Sequence, residues 1–489
     1  MTTSLQSLPL LVALAACSGP SDSNPGEQSD SASTGDSGGQ DSAVDDSTGE
    51  LSVCESSQFG SSTDDYAQGV GFLDGIVYVG GQRGCSLADD GRKATSCTAF
   101  LRAVDVSDPD TPLWEANLDS SDIDTNDQVR GVAVSEDAVY VVGQTDGDLT
   151  PPCEPLTGTT PVAADEDGNA FLIRYPLSPT LGDDGEPLCD WYDLFGTSKM
   201  DEALAVAVRG DDLWVTGGTL GTLGDENSGD EDAFVRHVDL AGAEPPCTYQ
   251  FGGVLFEESM AVATVDGGAL AVGWTANELQ PGADRGAEDV FVVHVDSACE
   301  VQWLRQFGTD SQEAGQGIAV HEEDSGFAIY VAGRTEGAMN PDEDVDPSTA
   351  DNDQFVARLE WDGTSMPTAG WVHQFGTDTS DGAGVALTDE ERVYLIGVEL
   401  TAGDHLPSSG AENIVITSFA HDGSPGETVR LDSTDGQTDE AVAGTLVGTV
   451  LVVAGMTAGT LGSDSTDPGE SELRDDALWS RLSTNDSCD

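Results

Sequence analysis

Short apolar runs separated by polar loops recur along this chain. The most regular run ends in glycine, and runs of this length are typical of β-strands because they are too short for a core helix. Seven copies occur, 56 to 74 residues apart, so the pattern predicts an all-β chain built from seven similar units. The copies read VYVGG, VYVVG, LWVTG, LAVG, IYVAG, VYLIG and VLVVAG and end at Gly81, Gly143, Gly217, Gly273, Gly333, Gly397 and Gly455.

Each unit contains three further strand-like segments. A strand of small residues such as GQGIAV precedes the glycine-terminated run, a strand such as DAFVRHV follows it, and a last strand such as VQWLRQFG ends in Phe-Gly. Four short strands repeated around a centre are typical of a β-propeller, whose blades pack on both of their neighbours. We therefore predict a seven-bladed β-propeller of four-stranded blades over residues 51–489.

The two ends of the repeat region complement each other. The seventh unit ends after its third strand, DALWSRL, and a matching fourth strand, VCESSQFG, stands before the first unit. Pairing of these two segments would close the ring and cover the last exposed sheet edges. We expect the N- and C-terminal strands to share the last blade.

The repeat resembles the SBBP repeats of bacterial surface and secreted proteins. The shared phrases are FG at 307–308, YVAG at 330–333 and DAFV at 232–235, with similar sets in the other units. The resemblance covers residues 51–489 and implies a seven-bladed propeller with longer loops than usual for the family. It implies little about function.

The first residues predict export. The apolar run at 8–16 is too short to span a bilayer and is typical of a signal peptide. The stretch Leu14-Ala15-Ala16-Cys17 resembles the lipobox of bacterial lipoproteins, which implies a signal peptide over 1–16 and a lipid on Cys17. An ordinary cleaved signal peptide is the alternative. Residues 17–50 are rich in Ser, Asp and Gly and predict a disordered tether, so we expect a lipid-anchored protein of the bacterial envelope, at the outer membrane or cell surface.

Eight cysteines remain once Cys17 is assigned to the lipid. An even number in an exported chain suggests up to four disulfides. Cys54 and Cys488 lie in the two terminal segments that we expect to share the last blade, and Cys85 and Cys97 flank one loop, which suggests the first two pairs. The other two pairs combine the four cysteines that are left. The candidate pairs are Cys54–Cys488, Cys85–Cys97, Cys153–Cys189 and Cys247–Cys299.

Charge excludes some partners. The chain has 91 Asp and Glu against 17 Lys and Arg, so nucleic acid and anionic membrane surfaces are repelled, and the membrane is reached only through the lipid.

In a propeller the loops between second and third strands share one face. By our boundaries these loops hold 32 Asp and Glu against six Arg and Lys, which predicts a strongly negative rim around the channel mouth. The loops are 82–98, 144–169, 218–232, 274–289, 334–353, 398–413 and 456–475.

Three loop segments carry oxygen ligands at alternate positions, the pattern that suits Ca²⁺. One has the spacing of an EF-hand loop, although Pro347 stands where that loop requires glycine and no helices flank it. Calcium is thus a candidate ligand, solvated acidic loops are the alternative, and no cofactor is required. The candidate ligands are Asp342, Asp344, Asp346 and Asp353 in the first segment, Asp122, Asp124 and Asn126 in the second, and Asp165, Asp167 and Asn169 in the third.

No catalytic residues can be assigned from the sequence. The six histidines are scattered, so we expect no cluster, and His237 and His294 are expected on blade surfaces because they occupy matching places in third strands.

The favoured hypothesis is a non-catalytic module that binds a protein or glycan through its acidic loop face. The alternatives are a glycan hydrolase or lyase using carboxylates at the channel mouth, and a purely structural envelope protein. A buried mouth carboxylate with a shifted pKa would favour the enzyme.

Overall fold

A computed structural model describes most of the chain after residue 50. The described residues are 51–484 except for 61–63, 88–93, 119, 121–125, 163–167, 184, 225–226, 284–285, 324, 340–351, 377–381, 402–410, 432–438 and 458–475. They belong to one compact unit, Thr48–Asp489. Within this described part, no helix has the length and apolar character needed to cross a membrane.

The described strands form seven sheets, which are the blades, and all of their pairings except one are antiparallel. Strand β1 (Ser52–Phe59) comes first. Blade 1 consists of β2 (Asp64–Leu73), β3 (Ile76–Leu87), β4 (Ala94–Asp105) and β5 (Pro112–Leu118), and blade 2 consists of β6 (Gln128–Val134), β7 (Ala138–Thr145), the short β8 (Glu154–Pro155), β9 (Asn169–Pro176) and β10 (Trp191–Phe195). Blade 3 consists of β11 (Asp201–Arg209), β12 (Asp212–Thr219), β13 (Asp232–Asp239) and β14 (Cys247–Phe251). Strand β8 pairs parallel to β10 and adds a fifth strand to blade 2.

The remaining strands follow the same order. Blade 4 consists of β15 (Glu257–Val265), β16 (Gly268–Thr275), β17 (Asp289–Asp296) and β18 (Val301–Phe307), and blade 5 consists of β19 (Glu313–Glu323), β20 (Gly326–Thr335), β21 (Asp353–Trp361) and β22 (Thr368–Phe375). Blade 6 consists of β23 (Gly382–Thr388), β24 (Arg392–Thr401), β25 (Ala411–Ala420) and β26 (Pro425–Leu431). Blade 7 contains β27 (Asp439–Val447), β28 (Val450–Thr457) and β29 (Asp476–Ser483).

The first strand of the chain completes the last blade. Strand β1 pairs antiparallel with β29, with Gln58 opposite Leu478 and Phe59 opposite Ala477. The first strands of the blades contact one another in order, and β27 contacts β2. The ring is therefore closed around a central channel lined by these strands. The predicted seven-bladed propeller, with its shared last blade, is confirmed.

The core lies between the blades. All eight residues of β16 are buried, because each face of a middle strand is covered by one neighbouring blade. Between blades 3 and 4, for example, Trp214 and Val235 pack with Ala271 and Phe291. This two-sided burial explains why the second and third strands read as continuous apolar runs rather than as alternating ones.

The seven repeated glycines lie opposite a bulge in the first strand of each blade. In blade 4 the pairing between β15 and β16 shifts between Ser259 and Ala261. A Cβ added at Gly273 would overlap the carbonyl oxygen of Glu258, and the equivalent overlap occurs at the other six glycines. The repeated glycine is therefore required by a close backbone approach.

The repeated Gln-Phe-Gly phrase joins the outer strand to the strand beside it. Gln306 Nε2 donates to Asp289 Oδ2 over 2.8 Å, and Gln306 Oε1 accepts a hydrogen bond from the Leu279 amide over 2.8 Å. Gln250 contacts Asp232 in the same way in blade 3, and Gln374 contacts Asp353 in blade 5. In blades 3 to 5 the phrase recurs because the aspartate that begins the third strand needs this partner.

Disulfides join three of the candidate pairs named from the sequence. The bonds are Cys85–Cys97, Cys153–Cys189 and Cys247–Cys299. Cys54 is also disulfide-bonded. Its candidate partner, Cys488, lies outside the described residues.

We predict that Gly273→Ala destabilises the fold by about 1–3 kcal/mol, because the added methyl group overlaps the Glu258 carbonyl oxygen. Urea unfolding measures the loss. The matched control is Gly384→Ala, because a Cβ there meets nothing within 4 Å. Equal unfolding free energies for the two variants would contradict the proposed role of the repeated glycines.

Candidate functional site at the channel mouth

Two neighbouring inner strands begin with a pair of acids. Strand β11 begins with Asp201 and Glu202, and β15 begins with Glu257 and Glu258. The first acid of each pair has a structural role, since Glu257 accepts hydrogen bonds from Thr275 Oγ1 over 2.8 Å and from the Gly253 amide over 2.6 Å. Asp201 is bound in the same way by Thr219 and Thr197.

The second acids meet a third glutamate at the mouth of the channel. Successive side chains of a strand point to opposite sides, so Glu202 and Glu258 point away from the threonines that bind the first acid of each pair. Glu231 approaches them from the residue before β13. One carboxylate oxygen from each of the three residues lies within 4.8 Å of the others. The cluster is therefore built from two blades and sits at the end of the channel where the second-to-third loops emerge.

The local fold brings these carboxylates together. Glu202 and Glu258 directly precede the stretch where the bulge shifts the register of their strands. Bulges of this kind redirect nearby side chains. On the facing strand, a Cβ at Gly218 would overlap Glu231 Oε1. Gly218 thus provides the space that the Glu231 carboxylate occupies.

The cluster has few neutralising partners. Trp274 Nε1 donates to Glu258 Oε2 over 3.0 Å, and Arg130 from blade 2 lies 3.8 Å from Glu202 Oε2. Glu231 Oε1 is buried and has no hydrogen-bond partner among the described residues. In this described part, one guanidinium therefore faces three carboxylates, and one carboxylate oxygen lacks a hydrogen bond.

Burial and mutual repulsion shift the protonation of the cluster. Burial raises the pKa of Glu231 to about 9, and the nearby charges of Glu258 and Glu202 raise it too. Burial likewise raises the pKa of Glu258 to about 7, with Glu202 adding to the rise, while the Trp274 hydrogen bond and Arg130 oppose it. At neutral pH, without a cation, the site therefore holds at least one proton.

Such a site supports two kinds of chemistry. Three carboxylates at this spacing provide the oxygen ligands that Ca²⁺ prefers. A protonated carboxyl beside ionised ones can instead act as a general acid with a nearby base.

An apolar surface adjoins the site. Val254 and Leu255, in the loop that leads into Glu257, are 72% and 44% exposed. The backbone of Val254 lies against Gly229 in the loop that carries Glu231. This apolar tip lies on the loop face where the sequence analysis expected ligand contacts.

The calcium candidates named from the sequence lie mostly outside the described residues. Those outside are Asp342, Asp344, Asp346, Asp122, Asp124, Asp165 and Asp167. Asp353 is described and binds Gln374, as its counterparts do in other blades. Asn169 begins β9 and is buried, and the Asn126 amide donates to Asp146. Among the described residues, the structure brings together a different set of acids, the glutamate cluster at the channel mouth.

The prediction that the histidines do not cluster is wrong for two of them. His321 and His421 stack with ring centroids 4.0 Å apart, between blades 5 and 6. The expected surface positions of His237 and His294 are also wrong, since these residues are only 6% and 8% exposed. His237 packs on Trp214 and His294 packs on Trp361, because third strands are covered on both faces.

Sequence reasoning did not single out Glu202, Glu231 or Glu258. One usable signal was the doubled acid at the start of first strands, in DEALAV, EESMAV and DEAVAG. The alternation of a strand assigns one acid of each doublet to the loop network and the other to the channel side. Glu231 had no comparable signal, because it stands in an acidic loop.

Comparisons with known proteins give distant structural similarities. No protein-family model matches the chain, and no curated protein matches it. Among solved structures it is similar to the polysaccharide lyase Uly1, with 12% identity, a TM-score of 0.47, and 87% of this chain and 92% of that chain covered. It is also similar to the GH43 endo-arabinanase from Bacillus licheniformis, with 11% identity, a TM-score of 0.28, and coverage of 52% and 87%. Such distant similarity carries no inference about activity.

We predict that Glu231→Gln is more stable than the wild type at pH 8 in the presence of EDTA. The pKa of Glu231 is raised in the folded state, so its contribution to stability is complete below the unfolded pKa of about 4.3 and is lost as pH rises toward 9. The variant should therefore lose less stability than the wild type between pH 5 and pH 8, as measured by thermal unfolding.

The matched control is Glu300→Gln, which removes one exposed carboxylate far from the cluster. It should follow the wild-type pH dependence. A Glu231→Gln variant that is less stable than the wild type at pH 8 would show that the glutamate cluster is not repulsive.

Proposed function

We propose that this protein is a cation-dependent, non-catalytic binding module of the bacterial cell envelope. The observation that carries the proposal is the glutamate cluster: three carboxylates from two blades within 4.8 Å of one another, with one buried oxygen that has no partner among the residues the structure describes. A divalent cation would satisfy that oxygen and remove the repulsion between the carboxylates.

Calcium fits this site better than magnesium. Ca²⁺ takes 6–8 oxygen ligands in flexible geometry, whereas Mg²⁺ requires a near-ideal octahedron and keeps its water. Three carboxylates leave coordination positions that water or ligand oxygens can fill. Hydroxyl or carboxylate groups of a glycan, or carbonyl groups of a protein, are suitable ligand oxygens.

The surrounding face suits a protein or glycan partner. The acidic loops repel nucleic acid, and the exposed tip formed by Val254 and Leu255 offers apolar contact beside the cation. A lipid on Cys17 and the tether over 17–50 would hold this face away from the membrane. In this proposal the membrane is contacted only through that lipid.

Calcium titration of the intact protein tests the proposal. We predict that Ca²⁺ raises the unfolding temperature, by an amount equivalent to about 2.7 kcal/mol at 100 times its dissociation constant. Calorimetric binding should be tighter at pH 8 than at pH 6, because the glutamates must lose their protons to bind the cation.

The variants localise the site. Glu231→Gln and Glu258→Gln should each weaken calcium binding at least tenfold, whereas Glu300→Gln should bind as the wild type does. Unchanged binding in both cluster variants would place calcium elsewhere in the acidic loops and would refute this site.

A glycan-cleaving enzyme is the second candidate, and the raised pKa of Glu231 favours it. Glu231, with a pKa of about 9, would protonate the leaving glycosidic oxygen, and Glu202 would act as nucleophile or base. The spacing of the carboxylate oxygens, within 4.8 Å, is close to the separation of about 5–5.5 Å in retaining glycosidases.

Polysaccharide digestion separates the two candidates. Alginate, pectin and xylan would be incubated with the wild type, with hydrolysis followed as new reducing ends and elimination as ultraviolet absorbance of the unsaturated product. Cleavage that is lost in Glu231→Gln and kept in Glu300→Gln would establish the enzyme. Calcium binding without cleavage would support the binding module.

A further inference from the structure

A cleft lies between the outer strands of blades 4 and 5, apart from the channel mouth. Its volume is about 400 Å³. Phe307, Met339, Leu359 and Val372 supply apolar surface, and two guanidinium groups, of Arg305 and Arg358, supply the charge. The size is within the range of small-molecule sites, about 300–1,000 Å³.

The two arginines differ in how they are neutralised. Arg358 forms ion pairs with Glu323 over 2.6 Å and with Glu360 over 2.7 Å. Arg305 is half-buried and forms no ion pair with any described residue; its Nη1 donates to the carbonyl oxygen of Pro367 over 2.5 Å. Its buried Nε has no hydrogen-bond partner within the part of the chain that the structure describes. In a chain with 91 acids and 17 bases, a cation that no described carboxylate neutralises is unexpected.

Burying a cation that no described carboxylate neutralises has an energetic cost. Burial lowers the pKa of Arg305, but a guanidinium stays protonated in proteins, so the charge cannot be removed by losing a proton. An external anion would supply the missing counter-charge. Its oxygens would also accept hydrogen bonds from the nitrogens of Arg305 that the protein leaves available.

We infer that this cleft binds a small organic acid, a monovalent carboxylate with an apolar body, whose carboxylate pairs with Arg305. The apolar walls fit the body of such a ligand. The strongly negative net charge of the protein repels multivalent anions such as phosphate more than a single carboxylate. The inference rests on the cleft and does not depend on the proposed function of the channel mouth.

Calorimetric titration with octanoate tests the inference, with the neutral octanamide as the matched probe. The wild type should bind octanoate at least tenfold more tightly than octanamide, because only octanoate pairs with the guanidinium. Arg305→Gln should remove this preference, and Arg305→Lys should keep part of it. Lys199→Gln, which removes one exposed positive charge elsewhere, should bind octanoate as the wild type does.

A second variant keeps the test valid if Arg305→Gln fails to fold. Ala369 is exposed and lines the cleft, so Ala369→Trp should fill it and weaken octanoate binding at least tenfold without altering Arg305. Equal affinities for octanoate and octanamide would overturn the inference. So would the absence of octanoate binding at millimolar concentration, or binding that survives in both Arg305→Gln and Ala369→Trp.

Discussion

The convergence of seven first strands on one axis constrains the whole molecule. Side chains at the starts of these strands are directed toward a shared space. A bulge near the start of each first strand brings a carbonyl oxygen against one residue near the end of the second strand. That residue must be glycine, which explains the phrase that the chain repeats seven times.

The same convergence creates the glutamate cluster. Glu202 and Glu258 stand at the bulges of adjacent blades, so their carboxylates approach each other however strongly they repel, and Glu231 joins them where Gly218 leaves space. The ring is held by apolar packing between blades and by the pairing of β1 with β29, and it imposes this repulsion on its centre. Local destabilisation that the rest of a fold tolerates is typical of functional sites.

The fold could be predicted from the sequence, because its determinants are local and repeated. The apolar period, the repeated glycine and the complementary segments at the two ends each identify one part of a blade. From the sequence, only an acidic loop face could be predicted, because many acids stand in the loops. Burial by a neighbouring blade decides which three of these acids form the glutamate cluster. The stacking of His321 on His421 and the position of Arg305 in its cleft also depend on contacts between blades. Residues 100 positions apart in the chain, such as these histidines, show no pattern that pairs them.

The most direct test of the central claim is a crystal structure of the protein grown with millimolar calcium, with the ion located by its anomalous signal. We expect one ion at the channel mouth, with carboxylate oxygens of Glu202, Glu231 and Glu258 about 2.3–2.6 Å from it. A structure in which this position holds no ion, and in which the Glu231 carboxyl instead shares a proton with Glu258, would refute a calcium site in this cluster.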